Sequence, residues 1–132
     1  MTNYIYTDED GQYLPGQYLH FTYTERIVYD NISIVLIDVQ TDVQYSFEIV
    51  SDESPMPNRY NKVNWTDLIG QTVLPDSSFI YNIINYELDN GDKINETVIE
   101  AGIIHIYDED NIITEYENTN EIDNSGPVVY GD

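Results

Sequence analysis

The chain has 132 residues, 25 of them acidic and 4 basic, for a net charge of −21; that length suits one domain, or one domain with a tail. Its hydrophobic fraction of 41% is enough for a core, which excludes an acidic disordered protein. The absence of Cys excludes disulfides, thiolate zinc sites and Cys nucleophiles, and so negative a surface repels nucleic acid and phospholipid headgroups.

The apolar residues are mainly Ile, Val and Tyr, with a single Ala, Ala101. Branched and aromatic side chains fit a pleated surface, whereas Ala and Leu favour helices, so strands are expected throughout. Met1-Thr2-Asn3-Tyr4 lacks the basic start and apolar run of a signal peptide. No stretch approaches the roughly 20 apolar residues of a membrane span, and no membrane insertion is expected.

Residues 18–24 read as the first clear strand, with an extension towards Tyr29. Residues 32–39 are nearly continuously apolar, and residues 43–49 alternate strictly, placing Val43, Tyr45, Phe47 and Ile49 on one side. Thr41-Asp42 between them suits a hairpin turn. Residues 51–64 hold Pro55 and Pro57 and read as a long loop. Residues 65–70 suit one helical turn capped by Thr66, with Trp65 as a core plug.

A second hairpin pairs residues 79–88 with 93–100 around Asp89-Asn90-Gly91-Asp92, where Asn-Gly supplies the positive φ angles of a tight turn. Ala101-Gly102 reads as a bend or bulge. A third hairpin pairs residues 103–107 with 112–116 around Asp108-Glu109-Asp110-Asn111. The expected fold is therefore all-β: an antiparallel β-sandwich of seven to nine strands, immunoglobulin-like or jelly-roll in type. Residues 1–117 form the single domain, and residues 118–132 form an acidic C-terminal tail.

Few residues propose chemistry. Asp8-Glu9-Asp10 follows Ile5-Tyr6-Thr7, and Asp108-Glu109-Asp110 follows Ile106-Tyr107. Asp8, Asp10, Asp108 and Asp110 are the one set spaced to offer oxygen ligands to a structural Ca2+, although neither loop has the Gly and Glu positions of an EF-hand. Carboxylates in such loops also serve simply as turn formers. No other cofactor is expected. His105 alternates in phase with Ile104 and Ile106 and reads as a strand-face residue rather than a base. There is no Gly-x-Ser-x-Gly elbow, no Walker loop and no Gly-x-Gly-x-x-Gly, and no enzyme is expected.

Thirteen tyrosines exceed what a core this size uses. Tyrosine suits interfaces because an apolar ring ends in a polar tip. Tyr4, Tyr6, Tyr13 and Tyr18 cluster near the N-terminus, and Val128, Val129 and Tyr130 make a β-prone segment within the polar tail. These seven residues are the expected partner contacts, the tail segment by adding a strand to a neighbour.

Ile, Asn and Tyr are abundant while Ala, Pro and Arg are scarce, as in AT-rich coding. AT-rich coding also favours Lys, yet only Lys62 and Lys93 occur, so the negative surface reflects selection. In composition, in strand-turn pieces such as residues 32–49 and 79–100, and in its termini, the chain resembles small virion proteins of AT-rich bacteriophages, crAss-like phages among them. Auxiliary capsid proteins and head or tail accessory proteins are the nearest kind. The resemblance implies a non-enzymatic subunit in the virion, many copies bound to other structural proteins, with the acidic face outward. A different class also fits the charge: a DNA mimic or immunity-type inhibitor seated in the basic cleft of a nucleic-acid-binding protein. Its carboxylates would have to line strand faces at phosphate-like spacing, whereas here they gather in turns and in the tail. A carbohydrate-binding sandwich using Trp65 and exposed Tyr residues as stacking platforms is a third class, resting on a single Trp.

Overall fold

A computed structural model describes residues 1–56 and 59–108. Its elements in chain order are β1 (Thr2–Thr7), β2 (Tyr18–Phe21), a 3-10 turn (Thr24–Arg26), β3 (Asn31–Asp38), β4 (Gln44–Glu48), β5 (Asn61–Asn64), α1 (Trp65–Ile69), β6 (Ser78–Asp89) and β7 (Asp92–Asp108). The fold is mostly β with almost no helix, as the composition requires. Five strands form one sheet in the order β1-β7-β6-β3-β4, and β2 and β5 form a second, two-stranded sheet.

Both local hairpins form where alternation and turn chemistry place them. Asp42 (φ 63°) turns β3 into β4, and Asn90 (φ 55°) with Gly91 (φ 87°) turns β6 into β7. Two positive φ angles in a two-residue loop match the right-handed twist of the flanking strands. The pairing is not antiparallel throughout, however. β1 runs parallel to β7, with Ile5 opposite Ile106 and Tyr6 opposite Tyr107. The two Ile-Tyr segments of the sequence thus lie side by side in register.

This pairing also decides the fate of the expected third hairpin. Residues 103–107 pair with β1 on one side, and residues 103–105 pair with β6 on the other. A strand has only two edges, so residues 103–105 have none left for a hairpin partner, and the Ile106 N–H already donates to the Ser77 carbonyl at 2.9 Å. Residues 112–116 lie outside the described residues. The bend or bulge expected at Ala101-Gly102 is absent too, because these residues pair in register with Asn82 and Tyr81. The register shifts fall earlier in β7: between Ile83 and Ile84 of β6, which leaves Ile99 as the extra residue, and between Asn85 and Glu87. Residues 51–64 are a loop only in their first part, since β5 begins at Asn61. The helical turn forms as expected, but its cap is Asn64, whose side chain accepts the Asp67 N–H at 2.9 Å, rather than Thr66.

One face of the large sheet carries the core. Ile5, Ile104, Ile106, Phe79, Tyr81, Ile83, Ile34 and Leu36 point inward and join Leu19, Phe21, Val63 and Trp65 from β2, β5 and α1 in a single cluster. The Phe21 and Tyr81 rings meet edge to face at 5.1 Å across the two layers. Trp65 is fully buried, the core plug its neighbours suggest. The indole N–H of Trp65 is buried without a hydrogen-bond partner, but other buried polar groups of this seam are paired. Glu100 accepts from the Tyr81 hydroxyl at 2.6 Å and the Thr22 N–H at 2.7 Å. The Asn61 side chain accepts the Tyr23 N–H and donates to Thr24 and Asp52. Burial, reinforced by the Glu100 carboxylate, raises both the Tyr81 and Tyr23 phenols above the ordinary tyrosine range.

Candidate interaction surface

Strand alternation that turns the core residues inward turns their neighbours outward. On the outer side of the large sheet β1 presents Tyr4 and Tyr6, and β7 presents Ala101, Ile103, His105 and Tyr107. β6 adds Ser78, Ile80, Asn82 and Ile84, and β3 adds Ser33, Val35 and Ile37. β4 adds Gln44, Ser46 and Glu48, opposite Ile37, Val35 and Ser33, so Glu48 is the one carboxylate among these outward residues, in a chain with 25 acidic residues. The apolar members are well exposed: Tyr4 51%, Ile80 45% and Ile103 40%.

At one side of the face, Tyr4, His105 and Tyr107 stack. The Tyr4 and His105 ring centres are 5.3 Å apart, and those of His105 and Tyr107 are 5.4 Å apart, nearly coplanar at 7°. The Ser78 hydroxyl fixes the imidazole through Nδ1 at 2.7 Å. The parallel β1–β7 register makes this stack possible, because it sets Tyr4 directly opposite His105.

Charge appears at the opposite corner, where it is internally paired. Lys93 Nζ lies 3.3 Å from Glu48 Oε2 and 4.6 Å from the centre of the Tyr86 ring. Tyr86 donates to Glu48, and burial together with that carboxylate pushes its phenol up to about 12. Elsewhere the exposed carboxylates sit in loops and turns, at Glu9, Asp10, Glu25, Asp42 and Asp76, and along the projecting β6–β7 ribbon at Glu87, Asp89, Asp92 and Glu96. The outer sheet face is therefore mainly apolar and aromatic, with the Glu48–Lys93 ion pair at its β4 corner and acidic loops around it.

The expected contact residues separate. Tyr4 and Tyr6 belong to this face. Tyr13 does not: its ring meets Trp65 edge on at 5.6 Å, and its hydroxyl accepts the Leu74 N–H at 2.9 Å. Burial raises this phenol. Tyr18 lies on the small sheet, with Lys62 Nζ 4.2 Å above its ring. Val128, Val129 and Tyr130 lie outside the described residues. Ile80, Ile103, His105 and Tyr107 were not picked out as contacts by sequence reasoning. The signal for them is the outward phase of the alternation in residues 78–84 and 101–107, where charge is missing.

The acidic positions separate in the same way. Asp8 Oδ1 accepts the N–H groups of Asp10 and Gln12, both at 2.9 Å, so this carboxylate closes its own turn. Asp10 is exposed. Asp108 lies opposite Thr7 at the end of the β1–β7 pair and helps line a cleft of about 230 Å3 with Asp76, Ser77 and Tyr107. Burial, and then the negative charge of Asp108, raise the Asp76 carboxyl above its ordinary value. No group of three or more His, Asp or Glu residues arranged to hold a metal ion occurs among the described residues, and Asp110 lies outside them. No helix among the described residues is long and apolar enough to cross a membrane.

No protein-family model matches the chain, and no curated protein or solved structure is significantly similar to it.

Proposed function

We propose that this protein is a non-enzymatic structural accessory subunit of a large assembly, present in many copies, and that the assembly is a bacteriophage virion. The observation that carries this reading is the apolar, aromatic outer sheet face, whose carboxylate Glu48 is paired with Lys93. An exposed apolar and aromatic surface of this breadth is uncommon on a protein that works alone, and tyrosine-rich, charge-depleted patches favour protein contacts. The virion itself enters through the composition: AT-rich residue usage combined with a shortage of Lys. On this reading the acidic loops face solvent and keep assembled particles apart. The fold reading that goes with it is a small β-sandwich in which the β2–β5 sheet and α1 form the second layer.

The inhibitor reading draws on the charge of −21. Most of the described carboxylates sit in turns and at the end of the β6–β7 ribbon rather than along the broad sheet face, which gives it less support. Both readings meet in one experiment. A native lysate is sedimented and this chain is quantified in the particle fraction. Cosedimentation with a large shell at fixed ratio, persisting in about 0.5 M salt, is expected, because contacts made by a mainly apolar face survive screening. A chain that stays in the supernatant, or that binds one basic protein and releases it in salt, refutes the structural reading and supports the inhibitor.

A further inference from the structure

We infer that the outer face of the five-stranded sheet is a contact between two copies of this chain, packed sheet on sheet. The inference rests on the structural reading above and names the partner for the same surface. Three observations lead to a second copy. First, two chains of charge −21 repel wherever their loops meet, and the outer sheet face is a broad surface poor in carboxylates, where Glu48 is neutralised by Lys93 at 3.3 Å. Second, a basic partner would be drawn to the acidic loops, so this face fits an uncharged apolar partner, and a second copy supplies one. In a twofold pair the same patch serves both sides, so Ile80, Ile103 and the Tyr4–His105–Tyr107 stack would pack against other apolar and aromatic residues of the same patch.

Third, the size of the face sets the strength. Five strands about 4.8 Å apart, each about six residues long at about 3.3 Å per residue, cover on the order of 500 Å2 per copy. Two such faces total about 1,000 Å2, at the lower limit for a specific interface. The pair should therefore be weak and concentration-dependent in isolation, as suits a contact repeated many times within an assembly.

This arrangement has an unusual salt dependence. The contact itself carries no net charge, with Glu48 paired to Lys93, while the acidic edges of the two copies repel across it. Salt shortens the Debye length from about 30 Å at 0.01 M to about 10 Å at 0.1 M, which removes the repulsion and leaves the apolar attraction. Association should strengthen with added salt, the reverse of a charge-driven complex.

The test is sedimentation equilibrium of the purified full chain over a range of concentrations in 0.01 M and 0.5 M NaCl. The expected result is a 15.3 kDa species at low salt and a monomer–dimer equilibrium at high salt, with the dissociation constant at least about tenfold lower. Asn82→Asp places one carboxylate in the face with almost no change of shape, and should weaken the high-salt dimer by about tenfold or more. Ile80→Glu should do the same. Gln71→Glu adds equal charge in an exposed loop off the face and should change the constant less than about twofold. Thermal melting of each variant confirms that it folds, and Asn82→Asp keeps the test open if Ile80→Glu does not. A monomer at every salt concentration overturns the inference and assigns the face to a different subunit or to this chain's residues 109–132. A dimer indifferent to Asn82→Asp also overturns it, because the copies would then meet elsewhere. Cosedimentation with a particle despite a monomeric purified chain refutes only the pairing and leaves the structural role standing.

Discussion

Single residues control how β1 docks against the sheet. Gly102 lies in the middle of β7 opposite Tyr81, whose ring crosses it. A Cβ there would meet the Met1 carbonyl oxygen at 2.2 Å and the Tyr81 ring at 2.7 Å. Neither neighbour can step aside, since one is backbone and the other is packed against Phe21. Gly102→Ala should destabilise the fold by about 2–3 kcal/mol, the cost of overpacking a tight core, read as a lower urea midpoint with unchanged slope. A loss under 0.5 kcal/mol would mean that β1 can shift freely. Asp76 poses an electrostatic question. Burial and Asp108 raise its carboxyl, so the folded state disfavours its charged form. The folded protein then holds that proton to higher pH than the unfolded chain does. Stability gained by protonation is present at low pH and lost as pH rises through the raised value. Asp76→Asn should therefore stabilise at pH 7, by less than about 1 kcal/mol because the residue is exposed. The gain should vanish below pH 4, and an equal gain at both pH values would refute an electrostatic cause.

At the level of elements, the β6–β7 ribbon is the least supported part of the sheet. β3 covers β6 only as far as Tyr86, so residues 87–98 pair mainly with one another, and all are exposed. A two-stranded ribbon in water is marginally stable. Amide exchange in residues 87–98 should be at least about a hundredfold faster than in Ile34, Leu36 and Ile83, measured by hydrogen exchange with NMR detection. Equal protection would show that the ribbon is braced by something else. The same elements show which parts of the fold the sequence discloses. The β3–β4 and β6–β7 hairpins are local: alternation marks their strands, and Asp42 and Asn90-Gly91 mark their turns. The β1–β7 and β2–β5 pairs join segments far apart in the chain, and no local pattern names the partner. Residues 103–107 have an inviting hairpin sequence, yet β1 competes for the same edge and takes it. The interaction surface is half legible for the same reason. A cluster of tyrosines in sequence points to Tyr4 and Tyr6, but the turn through Gly11 and Gly16 sends Tyr13 into the core and Tyr18 to the other sheet. Ile80, Ile103 and His105 join the face only once β1, β6 and β7 are placed together.

For the whole molecule, net charge and local hydrogen bonding pull in opposite directions. Packing 25 carboxylates onto a small domain with 4 basic residues costs stability through self-repulsion. Several of those carboxylates are nonetheless held by short-range bonds. Asp38 accepts the Gln40 N–H and the Ser77 hydroxyl, both at 2.8 Å, and the Gln40 bond, with that of Ser77, holds its carboxyl below the ordinary value. Asp52 accepts the Ser54 and Lys62 N–H groups. Bonds of this length lie well inside the Debye length at any practical salt concentration, whereas repulsion between separate loops does not. Added salt should therefore remove the unfavourable part and leave the favourable part. The melting temperature of the monomeric Asn82→Asp variant should rise by several degrees between 0.01 M and about 0.2 M NaCl and then level off. Using that variant separates screening within one chain from any gain due to pairing. Sodium chloride and sodium fluoride at equal ionic strength should give the same rise, because screening depends on ionic strength and not on the anion. A melting temperature that is flat in salt would mean that turn carboxylates such as Asp8, Asp38 and Asp52 outweigh the repulsion. The acidity would then belong to the folding of the loops rather than to the spacing of one molecule from the next.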